Sequence, residues 1–189
     1  MGAIERALLI DLPEALETRR LWLRAPQPGR GAAIHEAVVE SYAQLKPWMP
    51  WARELPPVEQ SEKYCRESRA KWHARETIDF TIYRKADGRL LGGSGLHTID
   101  WAVPRFEIGY WIRTSCARQG YASETVLALV DFARDVLGAC RLEITSDVRN
   151  AASRRVAEKA GFVLDAVLRQ RRRDNDDKLS DSCMFSRVF

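Results

Sequence analysis

A glycine stands at the start of a helical pattern in the stretch CARQGYASETVLALVDFA, residues 116–133. The first amides of a helix have no partners within the helix, and the helix dipole adds partial positive charge there. Because Gly120 has no side chain and Ala122 has a small one, an oxygen atom of a ligand can reach these amides. The pattern therefore indicates a site for a phosphate or a pyrophosphate. A tight turn from a strand into a helix accounts for the same residues equally well.

The common nucleotide-binding motifs do not explain this turn. A dinucleotide site requires the pattern G-x-G-x-x-G, and of its glycines the stretch has Gly120 alone. The P-loop pattern G-x-x-x-x-G-K-[ST] is also absent from the sequence. The turn by itself is a weak signal.

A second polar pair begins another short helical pattern, NAASRRVAEKAGF, residues 150–162. Asn150 is a typical cap of a helix, and Gly161 is a typical end. Because Ser153 follows Asn150 by three positions, the two side chains lie on the same side of one turn. Capping alone explains this pair, and contact with a ligand is the alternative.

The elements that would position these residues do not alternate regularly. Helical spacing runs from Gly31 to Leu45, and Ser61 is expected to begin a second helix. Strands are predicted at 19–26, 77–85, 90–99, 105–113 and 140–148, with two more after Gly161. The order is strand, two helices, three strands, helix, strand, helix and two strands. It predicts an α/β chain with a mixed sheet, and it does not fit a Rossmann or TIM arrangement.

Alternation along 105–113 assigns the side chains of that strand to two faces. One face carries the apolar set Phe106, Ile108, Tyr110 and Ile112. The other face carries Glu107, Gly109, Trp111 and Arg113. The carboxylate on the second face has two interpretations, a buried structural ion pair and a candidate general base.

The composition is that of a globular protein, with 46% apolar and 30% charged residues among 189. A net charge of +4 is too small to predict direct binding of nucleic acid. The four cysteines form no C-x-x-C pair, and no histidine lies at metal-ligand spacing, which predicts reduced thiols and no metal. The sequence shows neither a signal peptide nor a run of about 20 apolar residues, so we expect a cytoplasmic protein without a membrane partner.

The segments FEIGYWI, GYASET and NAASRRVAEKAGF, in this order, closely resemble the GNAT superfamily of N-acetyltransferases. The segments RRLWLRAP, LKPWMPWA, GGSGLHTID and GFVLDAVLRQ are similar to its Rim-type branch, which acetylates protein N-termini, notably those of ribosomal proteins. The resemblance begins at about residue 18. It implies a GNAT-like α/β fold with a mixed, mostly antiparallel central sheet of about seven strands, splayed at the acetyl-CoA site and flanked by about four helices. It also implies a single N-acetyltransferase domain over residues 1–189, with 1–17 as an N-terminal extension.

The resemblance further implies a set of acetyl-CoA contacts. In the family the glycine turn binds the pyrophosphate of coenzyme A through backbone amides, which here belong to Arg118, Gln119, Gly120, Tyr121, Ala122 and Ser123. The strand segment Trp111, Ile112 and Arg113 would border the pantetheine arm, and Asn150 and Ser153 would contact the coenzyme. Ala117 departs from the family pattern, which has glutamine or arginine there, so we expect a cradle formed by the backbone.

The implied reaction is direct attack of an amine on the acetyl thioester. It requires a neutral amine, a hydrogen-bond donor for the developing oxyanion and a proton for the leaving thiolate. The family's usual tyrosine donor is replaced by Ala157, so Ser153 is the expected partner of the thiolate. Glu107 is the first candidate for the base and His97 is the second, whereas the position of a late carboxylate in some relatives is taken by Arg172.

The acceptor side is expected to include Trp48, Trp51 and His97. The resemblance implies a protein N-terminal α-amine as acceptor, with a ribosomal protein as one candidate. One alternative is a small-molecule amine, and another is a CoA-binding module without turnover. A homodimer is a further expectation from the relatives.

Overall fold

The protein is described by a computed structural model over residues 2–189, and one eight-stranded sheet forms its centre. In chain order the strands are β1 (Ala15–Glu17), β2 (Leu21–Arg24), β3 (Ile78–Arg84), β4 (Leu90–Asp100), β5 (Arg105–Ile112), β6 (Arg141–Asp147), β7 (Val163–Arg173) and β8 (Leu179–Val188). The helices are α1 (Ala3–Leu8), α2 (Gly31–Leu45), α3 (Val58–Ala74), α4 (Tyr121–Asp135) and α5 (Ala151–Lys159). The strands lie in the order β1-β2-β3-β4-β5-β6-β8-β7.

The predicted mixed and mostly antiparallel sheet is confirmed, with more elements than expected. The added strand β1 and the added helix α1 both lie in the segment 1–17, of which Met1 is outside the described residues. The prediction that Ser61 begins the second helix is wrong. That helix begins at Val58, because Pro57 precedes it in an extended conformation that suits a helix start, and Ser61 is buried within its second turn.

The alternation predicted for β5 is also confirmed. Phe106 and Ile108 are buried in the main core, where they lie with Val126 and Leu129 of α4. On the opposite face Trp111 packs against a smaller apolar cluster that is formed largely by α2 and α3. The two faces of the sheet are therefore covered by different helix pairs.

Strands β5 and β6 are parallel neighbours that stay together for a short distance. Register pairs join residues 105–107 to residues 141–143, and no later pair joins the two strands among the residues described. From Ile108 onward β5 pairs with β4 alone, while β6 continues to pair with β8. The predicted splay is confirmed, and it leaves backbone groups of both strands facing a gap.

The N-terminal segment is bound to the rest of the fold through Arg75. This residue follows α3 in the left-handed region, with φ +60°, and it is 9% exposed. Its guanidinium donates to the carbonyl oxygens of Ala7 at 3.2 Å, Ile10 at 2.7 Å and Trp72 at 2.8 Å. Burial lowers the pKa of Arg75 against the opposing charge of Asp11, and the carbonyl acceptors satisfy the donors of the buried guanidinium.

None of the helices described is both long and apolar enough to cross a bilayer.

Candidate active site

The turn before α4 allows a ligand to approach the backbone closely. Gly120 and Arg118 have φ values of +82° and +61°, in a region that glycine adopts freely and other residues adopt at a cost. Both residues are exposed, and no side chain caps the first amides of α4. These amides are thus available to an anion, so the cradle expected for a pyrophosphate fits the backbone that is present.

Arg20, which the sequence did not single out, supports this cradle from the start of β2. Its guanidinium donates to the Gln119 carbonyl at 3.0 Å and lies 4.5 Å from the centre of the Tyr121 ring. It also forms an ion pair with Glu124 at 2.6 Å. The side chain of Arg20 is 36% exposed, and its contacts with Gln119, Tyr121 and Glu124 fix the shape of the turn.

The strand segment expected to border the pantetheine arm lies along the gap between β5 and β6. Trp111 and Ile112 are half-buried there. The amide of Arg113 donates to the Leu91 carbonyl at 2.6 Å. Its side chain is 4% exposed and forms ion pairs with acidic residues of α2, Glu36 at 2.8 Å and Glu40 at 3.2 Å. The Arg113 carbonyl oxygen accepts a hydrogen bond from the Cys116 amide at 2.9 Å, so both backbone groups of Arg113 have partners within the protein.

A tyrosine and a serine meet across the same gap. The hydroxyl of Tyr110 on β5 lies 2.9 Å from Ser153 Oγ and 3.1 Å from the Ser153 carbonyl oxygen on α5. Burial raises the pKa of Tyr110 to about 12, so the phenol carries its proton at neutral pH. Sequence reasoning found Ser153 but missed Tyr110. A tyrosine on an otherwise apolar face was the available signal, since a buried hydroxyl requires a partner.

Three more residues considered in the sequence analysis, Asn150, Ala157 and Arg172, make contacts within the protein. The side-chain oxygen of Asn150 accepts the Ser153 amide at 3.0 Å, so Asn150 caps the helix as one of its two interpretations expects. Ala157 is fully buried in the core. Arg172 approaches Asp147 at 3.6 Å and donates to the Trp48 carbonyl at 3.4 Å, which joins β7 to β6 and to the loop after α2.

The two candidate bases lie next to each other, and Thr98 connects them. Thr98 donates to Glu107 Oε2 at 3.2 Å, and His97 Nδ1 lies 3.0 Å from Thr98 Oγ1. Because the hydroxyl proton goes to the carboxylate, we assign the proton of His97 to Nδ1 and a lone pair to Nε2. Thr98 has φ +50°, a strained value for a β-branched residue, at the irregularity between β4 and β5.

A cavity of about 530 Å³ opens on the α2 and α3 side of the sheet. Part of its floor consists of glycines on adjacent strands, namely Gly93, Gly95 and Gly109. A Cβ atom at Gly109 would lie 3.0 Å from His97 Nε2, and one at Gly93 would lie 2.8 Å from Trp111 Nε1. A Cβ atom at Gly95 would collide with the carboxylate of Asp79. The side chains of His97, Trp111 and Asp79 thus occupy the space that the glycines leave free.

The aromatic residues expected on the acceptor side divide into two groups. Trp51 lines the cavity, is 46% exposed and lies 6.1 Å from Trp111, measured between ring centres. His97 also lines the cavity. Trp48 does not line it, because this part of the loop turns toward Arg172. Sequence reasoning missed Asp79 and Tyr64, which both line the cavity.

Residues 2–189 contain no group of three or more histidine, cysteine, aspartate or glutamate side chains arranged to hold a metal ion.

Comparison with known proteins agrees with this arrangement. Residues 20–163 match the family model described as the acetyltransferase (GNAT) domain. The chain is 32% identical over 113 residues to the uncharacterized N-acetyltransferase YoaA of Bacillus subtilis, covering 60% of this chain and 64% of that protein. It is 28% identical over 164 residues to the ribosomal-protein-serine acetyltransferase of Escherichia coli, covering 83% of this chain and 90% of that protein.

Among solved structures, the fold is similar to that of RimL, a ribosomal L7/L12 alpha-N-protein acetyltransferase in complex with coenzyme A. The TM-score is 0.87 at 24% identity, over 93% of this chain and 98% of that chain. The family match covers both the glycine turn and strand β5, which separates from β6 at the gap, so the chain belongs to the GNAT family of acetyltransferases.

Proposed function

We propose that the chain is an acetyl-CoA-dependent N-acetyltransferase whose acceptor is a protein N-terminal α-amine, with a ribosomal protein as the first candidate. The observation that carries this proposal is that the expected cofactor site and the cavity border the same strand, β5. The cradle and the strand gap lie on one side of that strand, and the glycine-floored cavity lies on the other. The similarity to the Escherichia coli ribosomal-protein-serine acetyltransferase supports the choice of acceptor.

Coenzyme A would be held by the amides of residues 118–123, with Asn150 beside it. The segment 111–113 would border its pantetheine arm. Bound acetyl-CoA supplies the thioester carbonyl that the amine attacks. The arrangement requires no metal, and we propose one domain over residues 1–189.

His97 is the group that would accept the proton of the arriving ammonium, at Nε2. Its other nitrogen is hydrogen-bonded to Thr98, and Glu107 stabilises the charge that the imidazole gains. An α-amine has an ordinary pKa of about 8, so a base of moderate strength suffices. Glu107 therefore acts through His97 in this proposal. In the sequence analysis, Glu107 is the first candidate for the base and His97 is the second.

Tyr110 would hold the proton that a leaving thiolate requires. Ser153 positions the phenol through the contact of 2.9 Å and offers a second hydroxyl to the same sulfur. The two residues extend the sequence-based expectation, in which Ser153 served the thiolate alone.

The direct test is release of free thiol from acetyl-CoA with a panel of N-terminal peptides and small amines. Turnover with peptides supports the proposal, whereas turnover with small amines alone selects the small-molecule alternative. Binding of CoA without thiol release selects the module without turnover. The homodimer and the cytoplasmic location stay predictions, and sedimentation of the purified chain measures the first.

Replacing Tyr110 by Phe should lower kcat about 100-fold or more, because the proton donor is removed, with little change in acetyl-CoA affinity. Ser153→Ala should have a smaller effect of the same kind. Tyr83→Phe is the matched control, since it removes a tyrosine hydroxyl that lies away from the gap. Full activity of the Tyr110→Phe enzyme would refute the assignment.

His97→Asn should lower kcat/KM about 100-fold at pH 7, because the lone pair at Nε2 is lost. Part of this loss should be recovered at pH 9, where an α-amine with a pKa of about 8 is mostly neutral without help. The measurement is a pH profile of both enzymes with one peptide acceptor. An equal loss at both pH values would show that His97 does not act as the base.

A further inference from the structure

Asp79 is a carboxylate in the cavity that the proposed mechanism does not use. It lies on β3, where it pairs with Gly95 of β4, and Gly95 pairs in turn with Gly109 of β5. The carboxylate leans over Gly95 into the space that a side chain would occupy there. It therefore faces the cavity about one strand spacing, roughly 5 Å, from the strand that borders the reaction.

The charge of Asp79 has no cation in contact with it among the residues described. Thr77 donates to its carboxylate at 3.3 Å, but no lysine, arginine or histidine forms an ion pair with it among residues 2–189. The other carboxylate that lines the cavity, Glu67, is paired with Lys63 at 3.6 Å. Asp79 is thus the negative charge in the cavity wall that is not balanced by a contacting cation.

The surroundings of Asp79 disfavour a bare negative charge. Burial raises the pKa of Asp79, although the hydroxyls of Ser68 and Thr77 and the charges of His97 and Lys71 act in the opposite direction. A desolvated carboxylate without a counterion costs stability, and such groups cluster at sites that bind ligands. A positively charged ligand would remove this cost when it binds.

We infer that Asp79 binds a second positively charged group of the acceptor, about 5 Å from the amine that reacts. This inference rests on the proposed function, because it takes the cavity to be the acceptor site. The geometry favours an acceptor with two cationic nitrogens, such as a short diamine or a peptide whose first residue is ornithine or lysine. The reacting amine would lie over Gly109 beside His97, and the second nitrogen would lie over Gly95.

The test compares acceptors that differ in the second charge alone. In thiol-release assays the wild type should prefer putrescine to n-butylamine by about 10- to 100-fold in kcat/KM, the range expected for one charge-assisted hydrogen bond. A peptide that begins with ornithine should be preferred over the same peptide with norleucine. Asp79→Asn should reduce both ratios to near one. Glu67→Gln is the matched control and should keep them.

Binding is measured separately by calorimetry with CoA present, so that the result does not depend on turnover. Putrescine should bind the wild type at least about 10-fold more tightly than it binds Asp79→Asn or a second variant, Asp79→Ser. Circular dichroism checks that both variants are folded. Equal binding of putrescine to the wild type and to both variants would overturn the inference.

The two proposals fail in different ways. Turnover of diamines with the expected ratio, but of no peptide, would refute the peptide acceptor and keep the inference about Asp79. Turnover of peptides with no preference for ornithine, unchanged in Asp79→Asn, would refute the inference and keep the proposed function.

Discussion

Two aspartates on the central sheet show how differently one side chain can be accommodated. Asp147, at the end of β6, is 1% exposed and receives hydrogen bonds from Arg149 at 2.8 Å and from Ser180. The hydrogen bonds from Arg149 hold the pKa of Asp147 far below its ordinary range, against the effect of burial. Asp79 is half-buried and receives its hydrogen bonds from the hydroxyls of Ser68 and Thr77, and burial raises its pKa.

The difference between the two aspartates indicates a structural role for Asp147 and a role in acceptor binding for Asp79. Asp147 has its countercharges inside the protein, so it joins β6 to the β7–β8 hairpin and has no capacity left for a ligand. Asp79 has no cation in contact with it among residues 2–189 and faces open space, so we expect a ligand to supply the countercharge. Changes at the first residue should affect mainly stability, and changes at the second should affect mainly acceptor binding.

The largest expected effect is the loss of stability in Asp147→Asn. The buried carboxylate accepts charge-assisted hydrogen bonds from Arg149 and a hydrogen bond from Ser180, and weakening them with a neutral amide should cost about 3 kcal/mol. The pKa of Asp147 is lowered by folding, so its contribution is present above the ordinary pKa of about 3.9 and declines as the pH falls below that value. Thermal melts at pH 7 and pH 3 should therefore show a difference between wild type and variant that shrinks in acid.

A stability difference of the same size at both pH values would contradict this account of Asp147. Asp165→Asn is a suitable control, because Asp165 pairs with Arg141 at 2.6 Å on the surface of the same sheet. An exposed pair of this kind contributes little to stability.

Gly95→Ala tests whether the position of the Asp79 carboxylate in the cavity matters for acceptor binding. The new methyl group would collide with the Asp79 carboxylate and would lie 2.8 Å from the Asp79 Cα atom, so the carboxylate must move. Overpacking of this kind costs about 1–3 kcal/mol. We expect a raised KM for putrescine with a smaller change for n-butylamine, measured beside a thermal melt. An unchanged KM for putrescine would show that the carboxylate does not face the acceptor.

The smallest expected effect is a gain of stability in Asp79→Asn at neutral pH, about 1 kcal/mol, since a desolvated charge is removed. Folding raises the pKa of Asp79, so the wild type loses stability as the pH rises from about 4 through the raised value. The advantage of the variant should grow over that range and then level off. If Asp79→Asn melts below the wild type at pH 8, Asp79 contributes to folding as Asp147 does.

The sequence was sufficient to predict much of the architecture because local patterns determine it. The bounds of α2, the alternation along β5 and the cap at Asn150 follow from periodicity and capping, and the structure confirms each of them. The strand β1 was not predicted, since its three residues carry no periodicity and pair with β2 as a consequence of the tertiary fold.

The missed site residues depend on register and on helix docking. Asp79 reaches the cavity floor because it pairs with Gly95, which a reading of the single strand TIDFTIYRK cannot reveal. Tyr110 becomes a partner of Ser153 only when α5 docks across the gap. For Arg113 the alternation predicted the correct face, but the ion pairs with Glu36 and Glu40 depend on the position of α2.

The carbonyl contacts of Arg75 have a practical consequence for handling this protein. A protease that cut after Leu12 and released the first segment would remove the Ala7 and Ile10 acceptors of this guanidinium and would uncover the core residues against which Ile10 and Leu12 pack. Cleaved protein should therefore aggregate or unfold at a lower temperature, even though it still contains every residue of the cavity, the cradle and the strand gap. A preparation of low specific activity is better checked first by mass spectrometry of its N-terminus than by a search for a missing acceptor.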